Sequence, residues 1–305
     1  MHMLTIAELF EPRNTVAWEH LSRLTYPWEA LPIIHDIIME IGASLDGSEY
    51  AMYENDVWIH KTATITPSAF IGNAVIIGAG AEIRHGAFIR ENALVGDNTV
   101  VGNSTELKNV ILFNGVQVPH YNYVGDSILG YKAHMGAGAI TSNAKNDHSS
   151  ISVSYGAGAG DGAARGMGAA RLGRGVDGGA GADAGDGTEH ALNAAQLGGG
   201  GVDGGAGAGA GDGTDSAQFG SGGAGVAGSE QTVNALNEGG RIETGLRKFG
   251  AILGDHVEVG CNSVLNPGSV VGKGTLVYPL SNVRGYVPAG CIYKRQGEVV
   301  DIIPK

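Results

Sequence analysis

Val118 to Asn143 reads VPHYNYVGDSILGYKAHMGAGAITSN and holds the densest set of reactive and hydrogen-bonding groups in the chain. Two histidines, two glycine-led turns, a Tyr-Asn-Tyr triplet and a Gly-Ala-Gly step fall within it. An imidazole titrates near neutral pH, so it can move protons or bind a metal. Groups packed this closely need an apolar scaffold to hold them, and both flanks supply one.

Before the stretch, Ile65, Ile71, Ile77, Ile83, Ile89, Val95, Val101 and Leu107 recur every six residues. After it, Leu253, Val259, Leu265, Val271, Val277 and Val283 do the same. A period of six fits neither a helix nor a single strand and is read as a repeat. Six residues make one short strand and a tight turn. Gly, Asn or Asp often follows the aliphatic residue, as in Ile71-Gly72-Asn73 and Val95-Gly96-Asp97, where turn geometry favours such residues. Three hexads closing a triangular coil predict a parallel β-helix with coils about 4.8 Å apart. Eight uninterrupted hexads argue against a β-sandwich or barrel with even turn spacing. The regular phase is expected to break near Phe113 to Pro119, and the second block lies out of phase with the first.

Residues 1–56 lack the six-residue period. Pro27 can open a helix, and Trp28, Leu31, Ile34, Ile38 and Ile41 fall at helical spacing, so this segment is expected to cap the open end of the β-helix. Residues 57–155 and 241–305 are read as the two parts of one β-helix, the second with the C-terminal tail. Between them, residues 156–240 carry 30 of the 53 glycines, with tandem copies GVDGGAGADAGDGTE and GVDGGAGAGAGDGTD. Such composition buries too little apolar area to offset backbone ordering, so a disordered insertion in one loop is expected. One calcium-type nonapeptide match, at 178–186, is not followed by a tandem array.

Net charge is −12, without a Lys/Arg run, so nucleic acid is not an expected partner. No apolar run of spanning length and no signal-type leader is seen, which gives the expectation of a cytoplasmic protein that does not bind membranes. Two cysteines, Cys261 and Cys291, make no disulfide framework.

Three segments carry a family resemblance. They are Gly102-Asn103-Ser104-Thr105-Glu106-Leu107-Lys108, His120-Tyr121-Asn122-Tyr123-Val124-Gly125-Asp126 and Gly136-Ala137-Gly138-Ala139-Ile140-Thr141-Ser142-Asn143. Their order and spacing resemble the acetyltransferase half of the bifunctional bacterial enzymes that make UDP-N-acetylglucosamine, which are hexapeptide-repeat acyltransferases. Minus the insertion, the chain looks still closer to stand-alone hexapeptide proteins labelled UDP-N-acetylglucosamine pyrophosphorylase. The nucleotide loop of a pyrophosphorylase half has no counterpart in residues 1–60.

The resemblance implies an all-β, left-handed β-helix; the handedness comes from the resemblance alone. It implies that His120 is the general base and that Glu106 orients it. Arg84 and Lys108 would bind a sugar phosphate, and Tyr123 and Asn143 the sugar. Acetyl-CoA, the acyl donor, would lie along the coil edge near Ala137 and Cys261, with Lys294 and Arg295 at its phosphates. The chain departs from the family pattern at Pro119, His134 and Ala139. The expected function is an acyltransferase acting on a sugar phosphate or nucleotide sugar, working as a homotrimer. Two alternatives are a zinc hydratase using His85, His120 and His134, although the family's His-x-x-x-x-His pair is absent, and a sugar-nucleotide-binding protein without turnover. No metal is expected for the transferase.

Overall fold

The computed structural model describes residues 4–54, 56–156, 240–295 and 298–301. They form a three-sided parallel β-helix, many of whose corners take left-handed backbone at Gly, Asn or Asp, and some at other residues such as Ala74, Tyr121 and Lys132. On the first face, strands from Thr64–Ile65 to Cys291–Arg295 stack as eight rungs. Four long strands, Phe70–Ile77, Phe88–Val95, Glu106–Leu112 and Tyr123–Leu129, begin on the second face and bend onto the third. Ile140–Thr141, Val264–Leu265 and Asn282–Val283 continue the second face. Ala251–Leu253, Ser269–Val271 and Tyr286–Val287 continue the third.

The predicted aliphatic rows point inward. Ile83, Ile89, Val95, Val101 and Leu107 are almost entirely buried. Coils are 18 residues long where Thr64 pairs with Glu82 and Glu82 with Val100. They shorten to 17 where Val100 pairs with Gln117 and Glu106 with Tyr123. The register shift falls between the Ile89 and Ala93 pairs, just past Leu107, so the phase slips slightly earlier than Phe113 to Pro119. The coil stays closed there because Leu112 takes the inward place five residues after Leu107, and Leu129 does so after Val124.

The same corner, between second and third faces, releases the insertion. Thr141 pairs with Leu265, 124 positions on, which is 106 more than one 18-residue coil. Ser152–Tyr155 and Gly240–Glu243 pair antiparallel as its neck, with Tyr155 opposite Gly240. The expectation of disorder for 156–240 lies outside the described residues, except at these ends.

The helical part of the N-terminal segment does not cover the open end of the stack. It lies along the third face, while the segment's strand Tyr50–Tyr53 pairs with an outermost rung. The helix Ile34–Ser44 packs across the strands Phe70–Ile77, Phe88–Val95 and Glu106–Leu112, and the 3-10 turn Pro27–Ile33 packs on Tyr123–Leu129. Phe10 meets Phe113 with ring centroids 4.8 Å apart, and Trp28 meets Phe249 at 5.9 Å. The third face is therefore buried on both sides: outward Ile76, Leu94, Ile111, Ile128, Ile252 and Val270 are as inaccessible as their inward neighbours. Its strands read as continuous apolar runs (Ala74-Val75-Ile76-Ile77, Val110-Ile111-Leu112) because neither side meets water. Antiparallel strands pair with the outermost rungs instead: Tyr50–Tyr53 on Val57–His60, and Glu298–Asp301 on Cys291–Arg295. Among the described residues no helix is long and apolar enough to cross a membrane.

Two outcomes follow from this packing. Ile111→Ala removes a side chain held between coil and helical layer and is expected to destabilise the fold by about 2–5 kcal/mol. The check is the shift of the denaturant midpoint. Joining Tyr155 to Gly240 through Asn-Gly supplies a two-residue hairpin turn at paired positions. With loop-closure entropy relieved, the shortened chain is expected to melt at the same or a higher temperature by calorimetry.

Candidate functional site

The second face carries an outward surface of polar and aromatic groups. In a strand, alternate residues share a side, so Glu106 and Lys108 both face out around inward Leu107. Pairing stacks Phe70, Phe88, Glu106 and Tyr123 in one column on successive coils. Arg90 lies 18 residues before Lys108, one coil length, and so belongs to the second outward column with it. Its Nη1 donates to Glu106 Oε1 at 3.1 Å, and its Nε lies 3.5 Å from Glu91 Oε2. The Glu106 hydrogen bond, then Glu91, hold the Arg90 guanidinium above its usual range. Glu106 Oε2 has no partner among the described residues.

Asn143, just beyond the strand Ile140–Thr141, donates to Tyr123 Oη at 3.2 Å and to Asp126 Oδ2 at 2.5 Å. Asn109 donates to Asp126 Oδ1 at 3.0 Å and to the Leu31 carbonyl at 3.1 Å. This half-buried chain of bonds ties the corner to the N-terminal layer. Asn109 and Asp126 sit at φ +53° and +47°, a conformation that Asn and Asp tolerate better than most residues. Burial, then the nearby Asp126 and Glu106 carboxylates, push the Tyr123 phenol up. A cavity of about 400 Å³ opens beside them, lined by Leu31, Glu91, Lys108, Asp126 and Lys248 among others. Lys108 comes from the coil and Lys248 from the returning leg of the insertion. Neither ammonium has an ion pair or hydrogen bond among the described residues.

His120 lies at the corner between first and second faces. Asn103 pairs with it, and Gly138 N–H donates to its carbonyl at 3.0 Å. Asn262 N–H donates in the same way to Ala137 at 2.8 Å, and Leu280 N–H to Cys261 at 2.9 Å. Asn103, His120, Ala137 and Cys261 thus form one ladder on four successive coils. Below it, Gly102 leaves room for the Pro119 backbone, since a Cβ there would lie 1.6 Å from the Pro119 carbonyl oxygen. Asn122 fixes the turn. It accepts from His120 N–H at 3.1 Å and donates to Gly136 and Ala139 carbonyls at 2.9 and 3.0 Å. The His120 imidazole is exposed and makes no hydrogen bond among the described residues.

The residues singled out from sequence thus fall into two groups. Glu106, Lys108, Tyr123 and Asn143 share the second face; His120, Ala137 and Cys261 share the adjoining corner. Arg84 stands apart, its guanidinium held by Glu82 on its own strand at 2.7 and 3.0 Å. Lys294 sits in the last coil with Glu298 3.6 Å away. The Arg295 side chain is outside the described residues. Of the zinc histidines, His85 Nδ1 bonds Ser68 Oγ at 2.7 Å and His134 Nδ1 bonds Glu258 at 2.8 Å. Among the described residues no three His, Cys, Asp or Glu side chains converge to hold a metal. Sequence reasoning missed Arg90, Asn109, Asp126 and Lys248. Counting 18 back from Lys108 points to Arg90; Lys248 had no such signal, because the insertion hides its distance.

Residues 79–154 match the GMPPB C-terminal domain family. The bifunctional protein GlmU of Methanococcus maripaludis is 40% identical over 48 residues, which is 16% of this chain and 12% of that protein. The GlmU of Leifsonia xyli is 47% identical over 38 residues, 12% of this chain and 8% of that protein. The chain therefore matches about an eighth or less of the length of these relatives. Among solved structures, a hexapeptide transferase family protein of Anaplasma phagocytophilum aligns at 14% identity over 82% of this chain and 80% of its own, with a TM-score of 0.32. The acetyltransferase domain of PglB from Neisseria gonorrhoeae, in complex with acetyl coenzyme A, aligns at 23% identity over 36% and 48%, with a TM-score of 0.22.

Buried and exposed polar pairs in this site carry different weights. Asp126→Asn keeps one of the two buried acceptor oxygens and turns the other into a donor facing a donor amide, and is expected to lower stability by about 1–3 kcal/mol. Arg90→Ala breaks an ion pair more than a third exposed and is expected to change it by less than about 1 kcal/mol. Denaturant unfolding of both variants checks the contrast.

Proposed function

We propose that this chain is an acyltransferase that moves an acetyl group from acetyl-CoA to the amine of a phosphorylated sugar, such as glucosamine 1-phosphate. The observation that carries this reading is the ladder of His120, Ala137 and Cys261 beside the second face. It sets an exposed imidazole, without a partner among the described residues, beside a face with one arginine, two lysines, a phenol and a carboxamide.

In this reading the thioester lies along the ladder, where the small Ala137 and Cys261 side chains leave the coil edge accessible. The sugar phosphate meets Arg90, Lys108 and Lys248, cations suited to phosphate by fork and by point charge. Tyr123 and Asn143 hold the sugar hydroxyls. The amine nitrogen attacks the thioester carbonyl; His120 takes the amine proton; the C–S bond breaks, and the coenzyme A thiolate leaves and is protonated. Glu106 Oε2 is the atom assigned to orient the imidazole and to stabilise its cation. Arg84, engaged by Glu82, is given the outer part of the phosphate path, with Lys294 and Arg295 at the donor phosphates. The open second face and corner supply one wall of a cleft, so a homotrimer with sites between subunits is part of the proposal. A cytoplasmic setting, where acetyl-CoA is available, goes with it.

Thiol release from acetyl-CoA in the presence of glucosamine 1-phosphate measures the activity. His120→Ala is expected to lower the rate about 10² to 10⁴-fold with the fold retained. Lys108→Ala is expected mainly to raise the apparent KM for the phosphorylated substrate. Undiminished turnover by His120→Ala sinks the assignment.

A further inference from the structure

We propose that the acceptor is a nucleotide-linked sugar, whose base rests on Phe70 and Phe88; this rests on the acyltransferase reading above. These two rings are paired in register on successive coils, with centroids 5.3 Å apart at 61°. They remain 56% and 41% exposed, although Phe belongs to the residues most often buried. No described residue covers them, and they take no part in the core between the faces.

Their place on the coil gives them a ligand. The Phe column leads directly into Glu106 and Tyr123, and Phe88 shares its strand and its outward side with Arg90. Next to Phe70, the cation column holds only Gly72, where a Cβ would lie 1.5 Å from the Arg90 carbonyl oxygen. No side chain therefore stands beside Phe70 in that column, and Arg90 on the next coil is the first to do so. Along the axis, an aromatic platform is followed by two cations, then by a phenol and a carboxamide. A nucleoside, its phosphates and a sugar come in that same order. From Phe70 to Tyr123 is three coil steps, about 14 Å. A bare sugar phosphate fills the cation and Tyr123 part of this track and leaves the rings unused. Bases stack on aromatic rings whatever their identity, so the platform fixes the class of acceptor and not the base.

Calorimetric titration of the full chain with UDP-N-acetylglucosamine, GDP-mannose and N-acetylglucosamine 1-phosphate tests this. At least one nucleotide sugar is expected to bind more than about 10-fold tighter than the sugar phosphate. Phe70→Ala/Phe88→Ala is expected to remove about 5- to 100-fold of nucleotide-sugar affinity and to leave sugar-phosphate affinity unchanged. Phe88→Trp, which keeps a ring, is expected to retain the advantage. Equal affinities for both ligand types in the wild-type chain overturn the inference, even with acetyl transfer intact. So does a double variant that loses both ligands equally, or one whose subunit number by light scattering changes, which assigns the rings to contact with a second copy. Nucleotide-sugar preference without acetyl transfer supports the platform and removes the transferase reading; binding of none of the three removes both.

Discussion

Each coil of this protein is closed by its own inward side chains and fixed by hydrogen bonds to the coils above and below. Parallel pairing sets the axial step at about 4.8 Å, and the number of residues per coil sets which side chains fall above one another. Positions on the outer surface are consequently set by counting along the chain. Phe70 meets Phe88 and Phe88 meets Glu106 because those coils have 18 residues, and Glu106 meets Tyr123 because the one after them has 17. Rigid columns of this kind hold functional groups without loops, which suits a site needing groups from several coils at once.

Where residues are lost or gained, one corner absorbs the change. The step from second to third face is shortened between Leu107 and Leu112, shortened again between Val124 and Leu129, and then opened for the insertion after Thr141. The other two corners keep their length through the same coils. Asn109 and Asp126 at this corner of variable length are bonded to each other, and Asn109 also to the N-terminal layer. This bracing holds the corner in place, and the cavity with its two lysines, unpaired among the described residues, forms against it.

The repeat was legible because each inward aliphatic residue reports its own burial. Its spacing survives without knowledge of any partner. Glu106, Lys108, His120, Tyr123 and Asn143 were legible through motif order, and the structure brings four of them onto one face beside the corner of the fifth. Less visible was everything that depends on which coil lies next to which. The resemblance gives Arg84 the phosphate role and passes over Arg90; the 18-residue register puts Arg90 beside Lys108, and Glu82 engages Arg84. The helical segment showed its apolar stripe, but not that the stripe would lie along the third face. Outward Ile76, Leu94 and Ile111 were the clue, since a strand wetted on one side alternates and these runs do not.

The two antiparallel strands at the extremities have a consequence of a different kind. A stack of parallel coils has no intrinsic length, because its last rung presents the same pattern of donors and acceptors as every rung before it. A second copy meeting that rung in register would extend it, and repetition would give a filament. Tyr50–Tyr53 and Glu298–Asp301 reverse chain direction at the outermost rungs of the third and first faces. An incoming coil must pair on three sides together, so one reversed strand at each extremity is enough to end the polymer at a single chain's length.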